Sequence, residues 1–126
     1  MAASLSIAEP AILFKPARLY RLGMSGTDLY DITRGVWKLD KARAERAALA
    51  MTVVKGKVLE VYTISSWHPA NTTPYLSGRT DQANPQYAAR YEFSGHLAPA
   101  QIRTRYIGLA VHHFFGSGAV VRYVNC

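Results

Sequence analysis

Six consecutive residues, Thr33-Arg34-Gly35-Val36-Trp37-Lys38, combine cationic and aromatic side chains in one short stretch. The stretch lies at the predicted C-terminus of a helix, where a cation is favoured and a glycine permits a sharp exit. A guanidinium and an indole that leave the same turn can hold a phosphate and stack on a nucleobase. This pattern predicts that Arg34 and Trp37 contact nucleic acid. The alternative is that Trp37 belongs to the core and Arg34 only caps the helix.

Other cationic and aromatic side chains extend the same hypothesis. Trp67 ends a predicted strand at the mouth of a long loop, where it is either a second wall of a pocket or a core residue. Two arginines and a tyrosine precede Gly108. The residues that we predict to bind nucleic acid are Arg34, Trp37, Arg43, Arg46, Trp67, Arg103, Arg105 and Tyr106.

The remaining reactive residue types form no catalytic or metal-binding pattern. His112 and His113 are adjacent, so on a strand or a helix they point in different directions and rarely share one metal ion. Cys126 is the only cysteine, which excludes a disulfide framework and a thiolate zinc cluster. As the last residue it is also hard to hold rigidly as a nucleophile. We therefore predict no metal site, no cofactor and no catalytic residue, and we favour a binding protein over an enzyme.

The net charge favours a polyanionic partner. The 126 residues include 15 Lys and Arg against 8 Asp and Glu, for a formal charge of +7. Residues 15–46 hold eight cations and four anions, and residues 101–126 hold three cations and no anion. DNA or RNA is the partner that such an excess favours, and the alternative is that the charge serves solubility alone.

The first helix has the clearest sequence signals. Ser25 is typical of an N-cap, because its side chain can accept a hydrogen bond from the first turn. Leu29, Ile32 and Val36 recur at helical spacing and predict one apolar face. Gly35 is predicted to end the helix as a left-handed C′ residue.

The other segments predict strands, a tight turn and short helices. Lys55-Gly56 separates two apolar runs and predicts a hairpin. Neither face of the second arm is strongly polar, which favours a strand covered on both sides. Strands are predicted over residues 11–15, 49–54, 57–67, 90–95 and 120–124, and further helices begin near residues 41 and 98. The order predicts an α+β fold with a small, strongly bent mixed sheet or a β-barrel and two or three short helices.

The length accommodates one domain. Residues 1–10 are predicted as a flexible lead-in, and residues 11–126 as a single domain with a long polar loop at residues 69–89. Tyr75 and Tyr87 in that loop predict a surface for a protein partner. No apolar run approaches the roughly 20 residues of a membrane span, so no membrane partner is expected. One cysteine and a start unlike a signal peptide favour the cytoplasm.

Three stretches in order carry a resemblance to a known family: residues 23–37 with Thr-Arg-Gly-x-Trp, residues 58–69, and Arg-Tyr-Ile-Gly at 105–108 with Arg-Tyr-Val-Asn at 122–125. The chain resembles a poorly characterised bacterial domain that accompanies nuclease domains of the GIY-YIG type. The nuclease signature itself is absent, because only its Tyr-Ile-Gly half is found. Leu109 stands where this family often has a lysine. The resemblance implies a stand-alone accessory domain.

The predicted order of strands also resembles the small barrels of the PUA, ASCH and EVE type. That likeness implies a PUA-like β-barrel with an aromatic-walled pocket for RNA or a modified base, lined by Arg34, Trp37, Trp67 and Tyr106. The function expected from the sequence is therefore a nucleic-acid-binding accessory domain, with modified bases among its ligands. The alternative is a protein-interaction or inhibitor module that acts on a nuclease, a toxin or a host partner through the loop at 69–89.

Overall fold

The computed structural model describes residues 7–116 and 118–126 of the 126-residue chain. In chain order the main elements are β1 (Ala11–Phe14), α1 (Gly26–Arg34), β2 (Gly35–Trp37), α2 (Lys41–Ala44), β3 (Leu49–Val54), β4 (Lys57–Pro69), β5 (Tyr91–Leu97), α3 (Ala100–Tyr106) and β6 (Val121–Val124). Short 3-10 turns span Asp81–Ala83, Pro85–Tyr87 and His112–Phe114. The strands and helices thus follow the predicted order, with one additional short strand, β2.

The six strands form one mixed sheet in the order β2-β5-β4-β3-β1-β6. The pair β1–β3 is parallel, and the other four neighbouring pairs are antiparallel. The sheet curls into a half-barrel accompanied by three helices, which confirms the predicted α+β fold with a strongly bent sheet. Because the barrel is not closed, β2 and β6 remain as edge strands.

Local backbone features explain the hairpin and the curl. Lys55 and Gly56 both have positive φ, 53° and 77°. A two-residue type I′ turn requires this backbone conformation, which matches the twist of the flanking strands. The pairing register shifts between Thr52 and Val53, and again between Ile64 and Ser66. Such irregularities bend a strand and increase its twist, so they lie where a long β4 must curve between its two neighbours.

Both faces of the sheet are buried. Alternate residues of a strand point to opposite faces, so Leu13 and Met51 join one apolar cluster while Ile12 and Ala50 join the other. The helix α3 contributes Tyr106 to the first cluster, and α1 and β2 contribute aromatic residues to the second. Burial on both sides is the reason why the sequence of β4 shows no strongly polar face.

The start of α1 is confirmed, and its end differs from the prediction. Ser25 Oγ accepts a hydrogen bond from Asp28 N at 3.1 Å, as expected for an N-cap. The helix ends at Arg34, and Gly35 has an extended backbone with φ −171° rather than a left-handed one. The prediction of a left-handed C′ glycine is therefore wrong. Val36 lies on β2 and not on the helix, since the chain enters a strand directly.

Residues 7–10 belong to the packed domain, whereas the flexible lead-in was predicted to extend to residue 10. Ile7 is 4% exposed, and the Pro10 carbonyl accepts hydrogen bonds from Ala48 N and Leu49 N at 2.8 and 3.2 Å. The predicted lead-in at residues 1–6 lies outside the described part of the chain. Across the described residues, no helix is both long and apolar enough to cross a membrane.

Gly35 is required by a close approach. A Cβ at this position would lie 2.9 Å from Glu92 Cβ and would collide with the Tyr75 hydroxyl. We expect Gly35→Ala to lower the free energy of unfolding by about 1–3 kcal/mol, the usual cost of overpacking. Denaturation in urea measures this change.

Gly26→Ala is the matched control, since a Cβ there meets no atom within 4 Å. Gly26 begins α1, where alanine is favoured over glycine by up to about 1 kcal/mol. Equal effects of the two substitutions would show that the close approach at Gly35 does not constrain the fold.

Candidate functional site

The two tryptophans predicted to wall a pocket pack in the core. Trp37 is 8% exposed and stacks on Phe14 with ring centroids 4.8 Å apart, while its Nε1 donates to the Thr33 carbonyl at 2.7 Å. Trp67 is half-buried and meets Phe93 edge-on at 5.4 Å. Because their rings pack against other aromatic side chains, the two indoles do not form the two facing walls expected from the sequence.

Tyr106 is also a core residue. It is 1% exposed, its hydroxyl donates to the Glu9 carboxylate, and Ala8 N donates to that hydroxyl at 3.0 Å. The ring belongs to the apolar cluster on the α3 side of the sheet, whereas Trp37 and Trp67 belong to the cluster on the other side. The predicted aromatic residues therefore do not line one cleft.

Arg34 is buried and bound within the protein. It is 3% exposed; its Nε donates to the Phe93 carbonyl at 2.9 Å, and its two terminal nitrogens donate to the Pro74 carbonyl and to Thr73 Oγ1. Its guanidinium also lies 4.2 Å from the centre of the Tyr75 ring. Arg34 thus joins α1 to β5 and to the loop at 69–89, so it is neither an open phosphate contact nor only a helix cap.

The other predicted arginines are divided between internal contacts and open surface. Arg43 donates twice to the Cys126 carbonyl, at 3.1 and 2.8 Å. Arg103 forms a two-pronged ion pair with Glu60 at 2.7 and 2.9 Å. Of the eight predicted residues, only Arg46 and Arg105 are exposed, and Arg105 lies 3.4 Å from the Glu9 carboxylate.

The buried carboxylate of Glu92, which is 0% exposed, holds the start of the loop beside Arg34. It accepts hydrogen bonds from Asn71 N at 2.7 Å, from Thr73 N at 2.8 Å and from the Tyr75 hydroxyl at 2.9 Å. The Thr73 hydroxyl also donates to it and accepts from Arg34, so it bridges the two opposite charges. Burial raises the pKa of Glu92, but these hydrogen bonds outweigh burial and leave the pKa below its ordinary value.

A second contact holds the later part of the loop. The Arg79 side chain is 7% exposed and donates to the Asp31 carbonyl at 2.7 Å and to the Gly35 carbonyl. It also pairs with Asp81 at 2.6 Å, and Ser77 N donates to the Asp31 carboxylate at 2.6 Å. The loop at 69–89 is therefore attached to α1 and β2 at several points, and Tyr75 is occupied by internal contacts.

The attached loop forms one side of a cleft of about 530 Å³. One side of the cleft is lined by the loop and Arg90. The rest is lined by three segments: residues 15–19, which follow β1; residues 35–38, which comprise β2 and the next residue; and residues 120–121, where β6 begins. Both edge strands of the half-barrel therefore line the cleft, which lies in the open seam of the sheet.

Cations surround the cleft. Arg18 and Lys38 are exposed, Lys15 lies over the Phe115 ring, and Arg90 lies 4.2 Å from the centre of the Tyr87 ring. None of these four cations forms an ion pair with a described carboxylate, whereas Arg79 and Asp81 neutralise each other. The side chains that line the cleft consequently carry a net charge of +4.

Apolar and aromatic side chains complete the cleft. Ile32, Val36 and Val121 provide an apolar lining, with Trp37 beside them. Tyr87 is the half-buried aromatic residue contributed by the loop, and the Arg18 side chain beside it lowers the pKa of its phenol. A site of this size, partly apolar and ringed by cations, suits an anionic ligand that also has a flat apolar part.

The cleft is not predicted by the sequence patterns. The sequence signals were the cations Lys15 and Arg18, at and just after the end of the first predicted strand, and the position of Tyr87 and Arg90 near the boundary between the long loop and the next strand. Neither signal shows that the two segments meet, because they are some 70 residues apart in sequence.

Comparison of the chain with protein-family models, with curated proteins and with solved structures found no match. The resemblance to the domain that accompanies GIY-YIG nucleases stays a prediction, as does the finer likeness to PUA-type barrels. The fold and the cleft define a small α+β domain with a curled sheet and a cationic site in its open seam.

The charge of Glu92 should contribute to stability. In Glu92→Gln one carboxylate oxygen becomes an amide that faces N–H donors, so we expect a loss of about 1–3 kcal/mol at pH 7. Because the folded-state pKa is lowered, this contribution is present above the ordinary value of 4.5 and is lost as the pH falls through the folded value. The difference between wild type and variant should therefore shrink from pH 7 to pH 3 in urea denaturation.

Glu45→Gln is the control, because the Glu45 side chain is 59% exposed and its ion pair with Lys41 is 4.0 Å long. A Glu92→Gln difference that stays constant down to pH 3 would mean that the carboxylate charge does not support the loop.

Proposed function

We propose that this protein binds nucleic acid through the cleft in the seam of its sheet. The observation that carries the proposal is the set of four cations at the cleft, Lys15, Arg18, Lys38 and Arg90, none of which has a described carboxylate partner within 4 Å. Cations that no carboxylate neutralises can neutralise phosphates of a ligand.

The types of cation support the same ligand. Arg18 and Arg90 present planar guanidinium groups that match phosphate geometry, and Lys15 and Lys38 add flexible point charges. The apolar lining at Val121 gives a nucleotide's base a surface that inorganic phosphate would not use. A nucleic acid uses both features of the site, since its phosphates and bases alternate along the strand.

The proposed surface differs from the one expected from sequence. Arg34 and Tyr106 are buried outside the cleft, and Trp37 lines it with only 8% of its surface exposed, so the ligand is proposed to contact mainly the residue 15–19 segment and the end of the loop. The class of ligand is unchanged, and no catalytic step is proposed.

Neutralising two cleft cations should weaken binding and reduce its salt dependence. Single-stranded ligands lose affinity with a slope of about −0.7 per phosphate contact in a plot of log K against log salt. Four contacts correspond to a slope near −2.8. The double variant Arg18→Gln, Lys38→Gln keeps two of these contacts, so its slope should be shallower, at about −1.4. Fluorescence anisotropy with a labelled 12-nucleotide single strand between about 20 and 200 mM salt provides both numbers.

The matched control is the double variant Arg46→Gln, Lys57→Gln. It has the same net charge, and both side chains are exposed and outside the cleft. An equal loss of affinity in both variants would show diffuse charge attraction and contradict binding at the cleft. Affinity weaker than millimolar for single and double strands of DNA and RNA at low salt would overturn the proposal as a whole.

One observation favours a second candidate, the capture of an extended acidic peptide. The cleft is lined by β2, an edge strand that pairs with β5 on one side only, and edge strands accept a further strand from a partner. This candidate predicts that an alternating Glu-Val peptide binds more tightly than the oligonucleotide. It also predicts that the peptide slows hydrogen exchange at the Val36 and Lys38 amides.

A further inference from the structure

The structure assigns a more specific ligand to the same cleft. We propose that the cleft takes one unstacked base of a single strand, with the base against Tyr87 and the neighbouring phosphates on the cationic rim. This inference rests on the proposed function, because it requires that nucleic acid binds in the seam.

The apolar lining of the cleft favours a base over the sugar-phosphate backbone as the group that enters it. Leu19, Val120 and Val121 offer accessible apolar surface in the lining, beside the largely buried Ile32 and Val36. The sugar-phosphate chain has no large apolar group to place there. A base has a flat apolar face of suitable size. The cleft volume of about 530 Å³ lies within the range of about 300–1,000 Å³ that is typical of small-molecule sites.

Tyr87 has the position and support that a stacking platform needs. Its ring lies at the end of the Pro85–Tyr87 turn, which Asn84 caps by accepting a hydrogen bond from Gln86 N at 3.1 Å. The Arg90 guanidinium lies over one face of the ring, 4.2 Å from its centre, so the base is proposed to stack on the opposite face. Unlike Trp37, which is 8% exposed, Tyr87 is half-buried and part of its surface stays accessible.

The same geometry favours single strands over duplexes. In a duplex both faces of every base are covered by stacked neighbours, so only base edges and phosphates are available to the protein. A single strand can turn one base out of the stack without breaking a base pair. A duplex would contact the rim cations alone and should bind more weakly.

Three probes of equal length test the proposal with the intact chain. The first is the best-bound homopolymer among 12-nucleotide DNA and RNA strands, the second is its abasic counterpart, and the third is the abasic strand with one central base. We expect the abasic strand to bind roughly tenfold more weakly than the homopolymer, and the single base to restore most of that loss. Anisotropy titrations at one fixed salt concentration give the three dissociation constants.

Variants at Tyr87 identify the platform. Tyr87→Ala should weaken binding of the two base-bearing probes roughly tenfold and that of the abasic strand less than twofold. Tyr87→Phe keeps the ring and should bind all three probes as wild type does. Tyr87→Leu, which retains apolar volume without a ring, should behave like the alanine variant, and thermal melting confirms that each variant is folded.

The outcomes separate this inference from the proposed function. If the abasic strand binds as tightly as the homopolymer while Arg18→Gln, Lys38→Gln weakens both, the cleft binds phosphates and base insertion is overturned. If Tyr87→Ala weakens all three probes equally, Tyr87 supports the loop and is not a platform, which also overturns the inference. If no strand binds at low salt, the proposed function fails and the inference fails with it.

Discussion

The buried carboxylate of Glu92 is the constraint on which the shape of the cleft depends. A charge at a 0% exposed position is costly unless hydrogen bonds compensate for the lost water. Here the compensation comes from the backbone at Asn71 and Thr73 and from the Tyr75 hydroxyl. Because those donors lie at the start of the long loop, solvating Glu92 requires the loop to fold back onto β5.

The stretch from Arg34 to Trp37 completes this arrangement. Arg34 joins the loop to β5, Gly35 lets β2 approach Glu92 without a side chain in the way, and Trp37 packs on Phe14. Arg34, Gly35 and Trp37 thus each have a structural role. Residues 35–37 line the cleft directly, and Arg34 acts on it through the attached loop, which brings Tyr87 and Arg90 to the same cleft as the residue 15–19 segment.

Local patterns predicted most of the fold, while the site required distant contacts. The hairpin at Lys55-Gly56 and the cap at Ser25 depend on neighbouring residues, so the sequence alone was sufficient. The burial of Arg34 depends on partners 39 to 59 positions away, and local sequence periodicity cannot predict contacts at that separation. An arginine and a tryptophan on one turn have the same sequence pattern whether they bind a ligand or a loop.

The structure shows which of the cations counted in the sequence are already paired with carboxylates inside the protein. The net charge of +7 directs attention to anionic ligands, but Arg103 and Arg105 in the C-terminal region face Glu60 and Glu9. Counting charges along the chain cannot reveal such pairing, because each glutamate is more than 40 residues from its arginine. Once these pairs are set aside, four cations without described carboxylate partners lie where the half-barrel stays open. An unclosed seam offers apolar surface and a strand edge at the same place, so charge and shape favour the same site for a ligand.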